Sequence, residues 1–178
     1  VGVSKADSTV DGALLEHCVR EALGESAPRA MAVLNPVEVI LTNWPEGKVD
    51  HLQMENHPDH PEMGARSVRF TGRLFIERED FLENPPPKFF RLAPGREARL
   101  KGAYIIRCDG VEKDQDGEVS RLLCHVDLDS RSGSEGANRK VKATLHWLSD
   151  LDARPFEVRL YEPILAEDAP QEEIELDE

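Results

Sequence analysis

Residues 99–128, RLKGAYIIRCDGVEKDQDGEVSRLLCHVDL, decide the fold. Two β-rich stretches, Arg99–Glu112 and Glu118–Leu128, flank Asp114-Gln115-Asp116-Gly117, which has the chemistry of a hairpin turn. Outward from this hairpin the period stays close to two. Val68, Phe70, Gly72, Leu74 and Ile76 alternate with Arg69, Thr71, Arg73 and Phe75, as in one half-buried strand with Arg on one face. Lys140–Leu148 alternates around Val141, Ala143, Leu145 and Trp147, and a last strand is expected over Phe156–Tyr161. On the N-terminal side, Ala30–Leu34 and Val37–Leu41 are short apolar runs broken by Asn35-Pro36, which reads as strand, corner, strand because proline cannot donate to a ladder. His51–Met54 is a further short strand candidate. Asn56–Gly64 (NHPDHPEMG) carries too many prolines for regular structure, Pro85-Pro86-Pro87 forces an extended connector, and Ser130–Asn138 is a polar loop. Helical spacing occurs at Val10, Leu14, Cys18 and Ala22 or Leu23, with Gly24 placed to end an amphipathic helix over Asp7–Leu23. Many short strands with turns between them predict a mainly β protein, a barrel or sandwich behind one helical segment.

The chain has 178 residues, a net charge of −13 and three cysteines, Cys18, Cys108 and Cys124. An odd cysteine count without C-x-x-C spacing supports neither a disulfide framework nor a zinc ribbon, and reduced thiols fit a cytoplasmic protein. No apolar stretch approaches the roughly 20 residues needed to cross a bilayer, so no membrane role is expected. The chain opens without Met and is not expected to be complete. His51, His57 and His60, near Asp50, Asp59 and Glu62, are ligand types, but their spacing matches no zinc pattern and no metal is expected. There is no G-x-x-x-x-G-K-[ST] phosphate loop, no G-x-G-x-x-G after a strand and no G-x-S-x-G nucleophile elbow, so no catalytic residue is assigned. The segment Ala166–Glu178 contains seven acids and no base, which is linker composition.

Against this acidic background the run Lys88–Arg107 (KFFRLAPGREARLKGAYIIR) is basic and aromatic. From Arg66 to Lys113 there are eleven Lys and Arg against seven acids, a local net of +4. Such a patch would hold a polyanion while the acidic remainder repels it, although a solvated strand face would explain the charges as well. Phe89, Phe90 and Tyr104 stand among the cations, as in readers of single-stranded nucleic acid; the competing expectation is that at least one Phe is core and Tyr104 packs in the sheet. On a strand, Arg99 and Lys101 would share a face about 7 Å apart with Leu100 turned inward, a clamp for one unstacked base and its phosphate.

Several stretches, in order and spacing, resemble the glutaminyl-tRNA synthetase family: Pro28-Arg29-Ala30-Met31-Ala32-Val33 into Asn35-Pro36-Val37; Asn56-His57-Pro58 through Pro61-Glu62-Met63-Gly64; Phe90-Arg91-Leu92 with Gly95; and Arg99-Leu100-Lys101-Gly102-Ala103-Tyr104. Val111-Glu112-Lys113-Asp114, Lys140-Val141-Lys142 with His146-Trp147, and Val158-Arg159-Leu160-Tyr161 extend the similarity. The resemblance implies a class I aminoacyl-tRNA synthetase whose catalytic domain, with ATP and Mg, lies outside this chain, since neither an H-I-G-H-like nor an M-S-K-R-like motif is present. It divides the chain into residues 1–27, the end of a helical connector touching the tRNA; residues 28–165, the proximal antiparallel anticodon-binding β-barrel of the ribosomal-protein type, incomplete without later strands; and residues 166–178, a linker toward a second barrel.

The same resemblance implies tRNA(Gln) as partner and a monomer. It places Arg29 near the middle anticodon base, Arg91 at the third, Arg99 with Lys101 at the first, and Lys88 in the same stretch. This chain departs from the family pattern in three places: Lys101 stands where a second Arg is frequent, Phe90 where a Lys precedes the family Arg, and Asp59 where an Asn lies near the anticodon loop. Lys lacks the planar fork of Arg, so first-base contacts are expected to weaken. Competing readings are a glutamyl-tRNA synthetase of archaeal or eukaryotic type, a β-barrel protein-interaction module, and, more remotely, a hydrolase.

Overall fold

The computed structural model describes residues 12–161. One helix, α1 (Gly12–Ser26), precedes nine strands: β1 (Pro36–Leu41), β2 (Asp50–Glu55), β3 (Ala65–Phe70), β4 (Arg73–Glu77), β5 (Glu97–Leu100), β6 (Ile105–Lys113), β7 (Val119–Asp127), β8 (Thr144–Leu145) and β9 (Leu148–Ser149). Seven form one sheet in the order β8-β5-β6-β7-β1-β4-β9, and β2 pairs with β3 in a second.

Two short strands curl the large sheet. β8 adds to the edge of β5 and β9 to the edge of β4, yet only His146 and Trp147 separate them in sequence. Three Cα steps of about 3.8 Å each span at most about 11 Å. The two margins of the sheet are therefore drawn together and the sheet becomes an incomplete barrel. Trp147, fully buried, sits at this closure, and its Nε1 donates to the Lys101 carbonyl at 2.9 Å. Its ring meets Phe70 at 4.9 Å between centroids, and Phe70 meets Trp44 at 4.9 Å and Tyr104 at 5.0 Å. Inward positions of the strands complete the core: Val37, Val39 and Leu41 on β1, Leu74 and Ile76 on β4, Ala98 and Leu100 on β5, and Leu122, Cys124 and Val126 on β7. This is the period-two pattern acting as burial.

The small sheet covers one side of the barrel through Leu52 and Met54. Met54 fits because Gly102 has no side chain; a Cβ there would lie 2.6 Å from the Met54 Sδ, at a φ of +66°. Asp50 on β2 accepts from the Tyr104 hydroxyl at 2.6 Å and from Arg131 Nε at 2.9 Å. Burial pulls the Asp50 carboxyl up, but these two donors outweigh it and hold its pKa below the ordinary 3.8. Burial and Asp50 together push the Tyr104 phenol up to about 12.

The hairpin forms as expected. Asp114 Oδ1 accepts from the amides of Asp116 and Glu118, both at 3.0 Å, and Gly117 takes a φ of +82°. Arg99–Glu112 is two strands rather than one, however, because the chain turns at Lys101–Tyr104, where the Leu100 amide bonds the Tyr104 carbonyl at 2.8 Å. Cys108 and Cys124 face each other across β6 and β7. The Cys108 contact, with burial, pushes the Cys124 thiol far up, which makes it an inert core group.

Other sequence expectations are corrected. The barrel is mixed, with β1–β7 and β5–β8 parallel, which the long intervening chain permits. The single strand read across Val68–Ile76 is broken at Thr71-Gly72: Thr71 Oγ1 donates to Asp150 at 2.7 Å and turns the chain from one sheet into the other. Ala30–Leu34 is not a strand; the amides of Leu34 and Asn35 are taken by the Glu77 carboxylate at 2.6 and 3.0 Å. The Lys140–Leu148 alternation yields only the short pairs β8 and β9. Phe156–Tyr161 is also not a strand; it is exposed and pairs with no strand of either sheet. α1 continues past Gly24 to Ser26, whose Oγ donates to the Ala22 carbonyl at 2.7 Å. The helix start at Asp7 and the acidic segment Ala166–Glu178 lie outside the described residues.

Two stability predictions follow from these contacts. Trp147→Ala removes the side chain at the closure and is expected to cost about 3–5 kcal/mol in urea unfolding, the range for a buried large aromatic; a cost below about 1 kcal/mol would show that the two margins hold without it. Asp50→Asn tests the carboxylate. A lowered folded pKa stabilises fully above the unfolded value and is lost as pH falls through the folded one, so the wild-type advantage in melting temperature should be complete above about pH 5 and shrink steadily below about pH 4. A gap that stays constant down to about pH 2 would place the effect elsewhere.

Candidate nucleic-acid interface

The segment between β4 and β5 is pinned from within. Phe81 and Leu92 are buried, the Leu92 amide bonds the Asp80 carbonyl at 3.0 Å, and the Gly95 amide bonds the Cys108 carbonyl at 2.7 Å. With Leu92 and Ala93 turned inward, Lys88, Phe90, Arg91 and Arg96 are turned out. Lys140 and Lys142 approach from the other side as the chain runs into β8. A groove of about 660 Å³ lies between, bordered by the cations Arg91, Arg96, Arg107, Lys140 and Lys142 and by Phe89 and Phe90. The acid in its lining, Glu97, is already paired with Arg139.

The cations differ in what holds them. Arg91 meets Asp80 at 3.0 Å and Arg107 meets Asp109 at 2.7 Å. Burial pushes the Asp80 carboxyl up despite the Arg91 charge beside it, so Arg91 is a tethered cation rather than a free one. Arg96 donates to the Phe89 carbonyl at 2.6 Å. Among the described residues Lys88, Arg96, Lys101, Lys140 and Lys142 have no carboxylate within 4.0 Å. Lys142 Nζ lies 5.2 Å from the Phe90 ring centroid. The local excess of positive charge thus survives folding at this groove, where it can attract a polyanion.

The sequence-predicted residues are not all brought together. Arg91 borders the groove and Lys88 is exposed beside it, whereas Arg29, Arg99 and Lys101 are not part of its lining. Leu100 is fully buried, as expected, with Arg99 half-buried and Lys101 exposed. The Arg99 guanidinium donates to the carbonyls of Ser130 at 3.2 Å, Ala137 at 2.7 Å and Arg139 at 3.3 Å. That loop is close-packed on itself: a Cβ at Gly136 would lie 2.2 Å from the Asp129 carbonyl oxygen. The bonds take one N–H of Nη1 and both of Nη2, and each two-donor edge of a guanidinium uses Nη2, so reading a base with a two-point fork requires exchange of at least one carbonyl. Arg29 Nη2 donates to the Gly24 carbonyl at 2.7 Å, and the same oxygen lies 2.9 Å from His57 Nε2. The two side chains cap the C-terminus of α1, which has no buried residue of its own.

Of the two Phe, neither belongs to the core: Phe89 is half-buried and Phe90 is 53% exposed. Tyr104 packs in the sheet, 2% exposed. Sequence reasoning missed Arg96, Arg107, Lys140 and Lys142 as groove residues; the Lys-Val-Lys alternation at 140–142 was the available signal. The histidines have other duties. The Asp59 amide donates to His57 Nδ1 at 3.1 Å, so Nε2 carries the proton toward Gly24, and His60 Nδ1 lies 2.8 Å from Glu62. Among the described residues no group of three or more His, Cys, Asp and Glu side chains is set to hold a metal ion. No helix among them is long and apolar enough to cross a membrane.

Residues 27–127 match the family described as tRNA synthetases class I (E and Q), anti-codon binding domain. The chain is 51% identical over 173 residues to a protein of Clostridium perfringens named glutamine–tRNA ligase, covering 97% of the chain and 31% of that protein. Ligases of the same name from Bradyrhizobium diazoefficiens and Nitrobacter winogradskyi are 49% and 51% identical over 170 residues, in each case 96% of the chain and 30% of the relative. The chain therefore spans less than a third of the length of these curated relatives. The family match takes in more than half of the chain, the barrel through β7, and the chain belongs to the anticodon-binding domain family of the class I tRNA synthetases for glutamate and glutamine.

Proposed function

We propose that this chain is the anticodon-binding part of a cytoplasmic, monomeric glutamine–tRNA ligase and that it holds the anticodon loop of tRNA(Gln). The remainder of such a ligase, with ATP and Mg, would attach glutamine to the tRNA. The observation that carries this reading is the cationic groove beside Phe90 in a chain of net charge −13. Phosphate is drawn to this face and repelled by most of the others, which orients the RNA before any base is read. The relatives' name supports glutamine over glutamate.

Within this reading Arg91 serves the third anticodon base from the groove, with Lys88 exposed in the same stretch, Arg99 and Lys101 serve the first, and Arg29 serves the middle one. Arg29 can leave Gly24 for RNA because His57 remains on the same carbonyl. Arg99 must release part of its carbonyl set, and Lys101, exposed and without a carboxylate partner among the described residues, supplies the nearby charge.

Titrating this chain with tRNA(Gln) at increasing salt should give affinity that falls steeply, with a log–log slope reflecting several released cations. Salt-independent binding, or no binding at low salt, would contradict the reading. In the full-length ligase, Arg99→Ala should cost about 1–3 kcal/mol of tRNA recognition, more with the native first anticodon base than with a substituted one. Equal losses on both tRNAs would make Arg99 an anchor of the 130–139 loop alone.

A further inference from the structure

Phe90 is 53% exposed in a groove whose walls are otherwise largely cationic. Packing does not account for it. Leu92 and Ala93, 0% and 1% exposed, make the core contacts of this stretch, and Phe81 pairs with Leu92 rather than with Phe90. Lys142 stands over the ring at 5.2 Å, within the distance at which a cation is attracted to an aromatic face. Lys142 has no carboxylate partner among the described residues, so its charge remains available.

A π surface with an unspent cation over one of its faces matches one ligand chemistry closely. An unstacked nucleobase needs a flat apolar face to replace its lost neighbours, and its phosphate needs a cation one sugar away. An acidic peptide would use the cations but gain nothing from the ring, whose face carries negative potential. A purely apolar ligand would be met by Arg91, Arg96 and Lys140.

We propose that Phe90 and Lys142 form a stacking platform for a single unstacked base, the one beside Arg91. This rests on the anticodon reading and deepens it. Phe90 supplies the face, Lys142 neutralises the adjoining phosphate, and Arg91, fixed by Asp80, borders the same groove and limits where the base can lie.

The test uses the full-length ligase and tRNA(Gln), native or with an abasic third anticodon position. Wild-type protein should bind the native tRNA more tightly than the abasic one. Phe90→Leu, apolar but without a π face, should weaken binding of the native tRNA roughly ten-fold, within the span measured for base–aromatic stacking, and leave the abasic tRNA unchanged. Phe90→Trp should restore the native affinity. Lys142→Ala should weaken both tRNAs and reduce the salt slope by about one. If wild-type protein fails to bind the native tRNA, the anticodon reading itself falls. If binding is tight and salt-sensitive but Phe90→Leu leaves the affinity for native tRNA unchanged, the platform alone is overturned. Poly-glutamate competing as well as single-stranded RNA against both proteins would also overturn it, by showing a general anion groove.

Discussion

Everything in the barrel depends on the two-residue span between Leu145 and Leu148. A sheet of seven strands can lie open, with two unprotected margins, or it can curl. Here one short piece of chain bonds both margins, to β5 on one side and β4 on the other, and the distance it can bridge leaves no choice. Trp147 fills the interior at that point and bonds the carbonyl of Lys101, so the closure is joined directly to the turn that begins with a candidate RNA-binding residue. The aromatic cluster of Trp44, Phe70, Tyr104 and Trp147 then links the small sheet, the turn and the closing strands into one body.

Rigidity at the closure is what allows charge to be displayed. β5 and the segment before it face inward through Ala98, Leu100, Leu92 and Ala93, and the same alternation presents Arg91, Arg96 and Arg99 elsewhere. The interface residues are held in graded ways. Arg99 is bound by three carbonyls, Arg91 by a half-buried carboxylate, Arg29 by a shared helix-end carbonyl, and Lys88 and Lys101 by no carboxylate among the described residues. Within the proposed function such grading would divide the work of binding: loose lysines attract phosphate over distance, and the arginines, held until RNA arrives, exchange part of their protein partners for bases.

The mainly β class, the helix and the β6–β7 hairpin were legible in the sequence because period-two burial and turn chemistry are local signals. The corner at Thr71-Gly72 was not, since the alternation of Val68 to Ile76 continues unbroken across it and only the distant Asp150 reveals the bend. The parallel ladders and the closure were also hidden, because they are long-range pairings. The basic run marked the stretch that borders the groove, but the local count of cations and acids could not tell which would be paired. Folding neutralises Arg107 with Asp109 and brings in Lys140 and Lys142 from far along the chain. At least one of the two Phe was expected in the core; here Leu92 and Ala93 take that place.

Hydrogen–deuterium exchange of the full-length ligase, with and without tRNA(Gln), tests the central claim most directly, because it maps the bound face without altering it. The account predicts protection concentrated in residues 86–101 and 138–144, with the β2–β3 sheet unchanged. Protection confined to β2, β3 and the turns beside them, with the Phe90 groove exchanging as in the free protein, would contradict it.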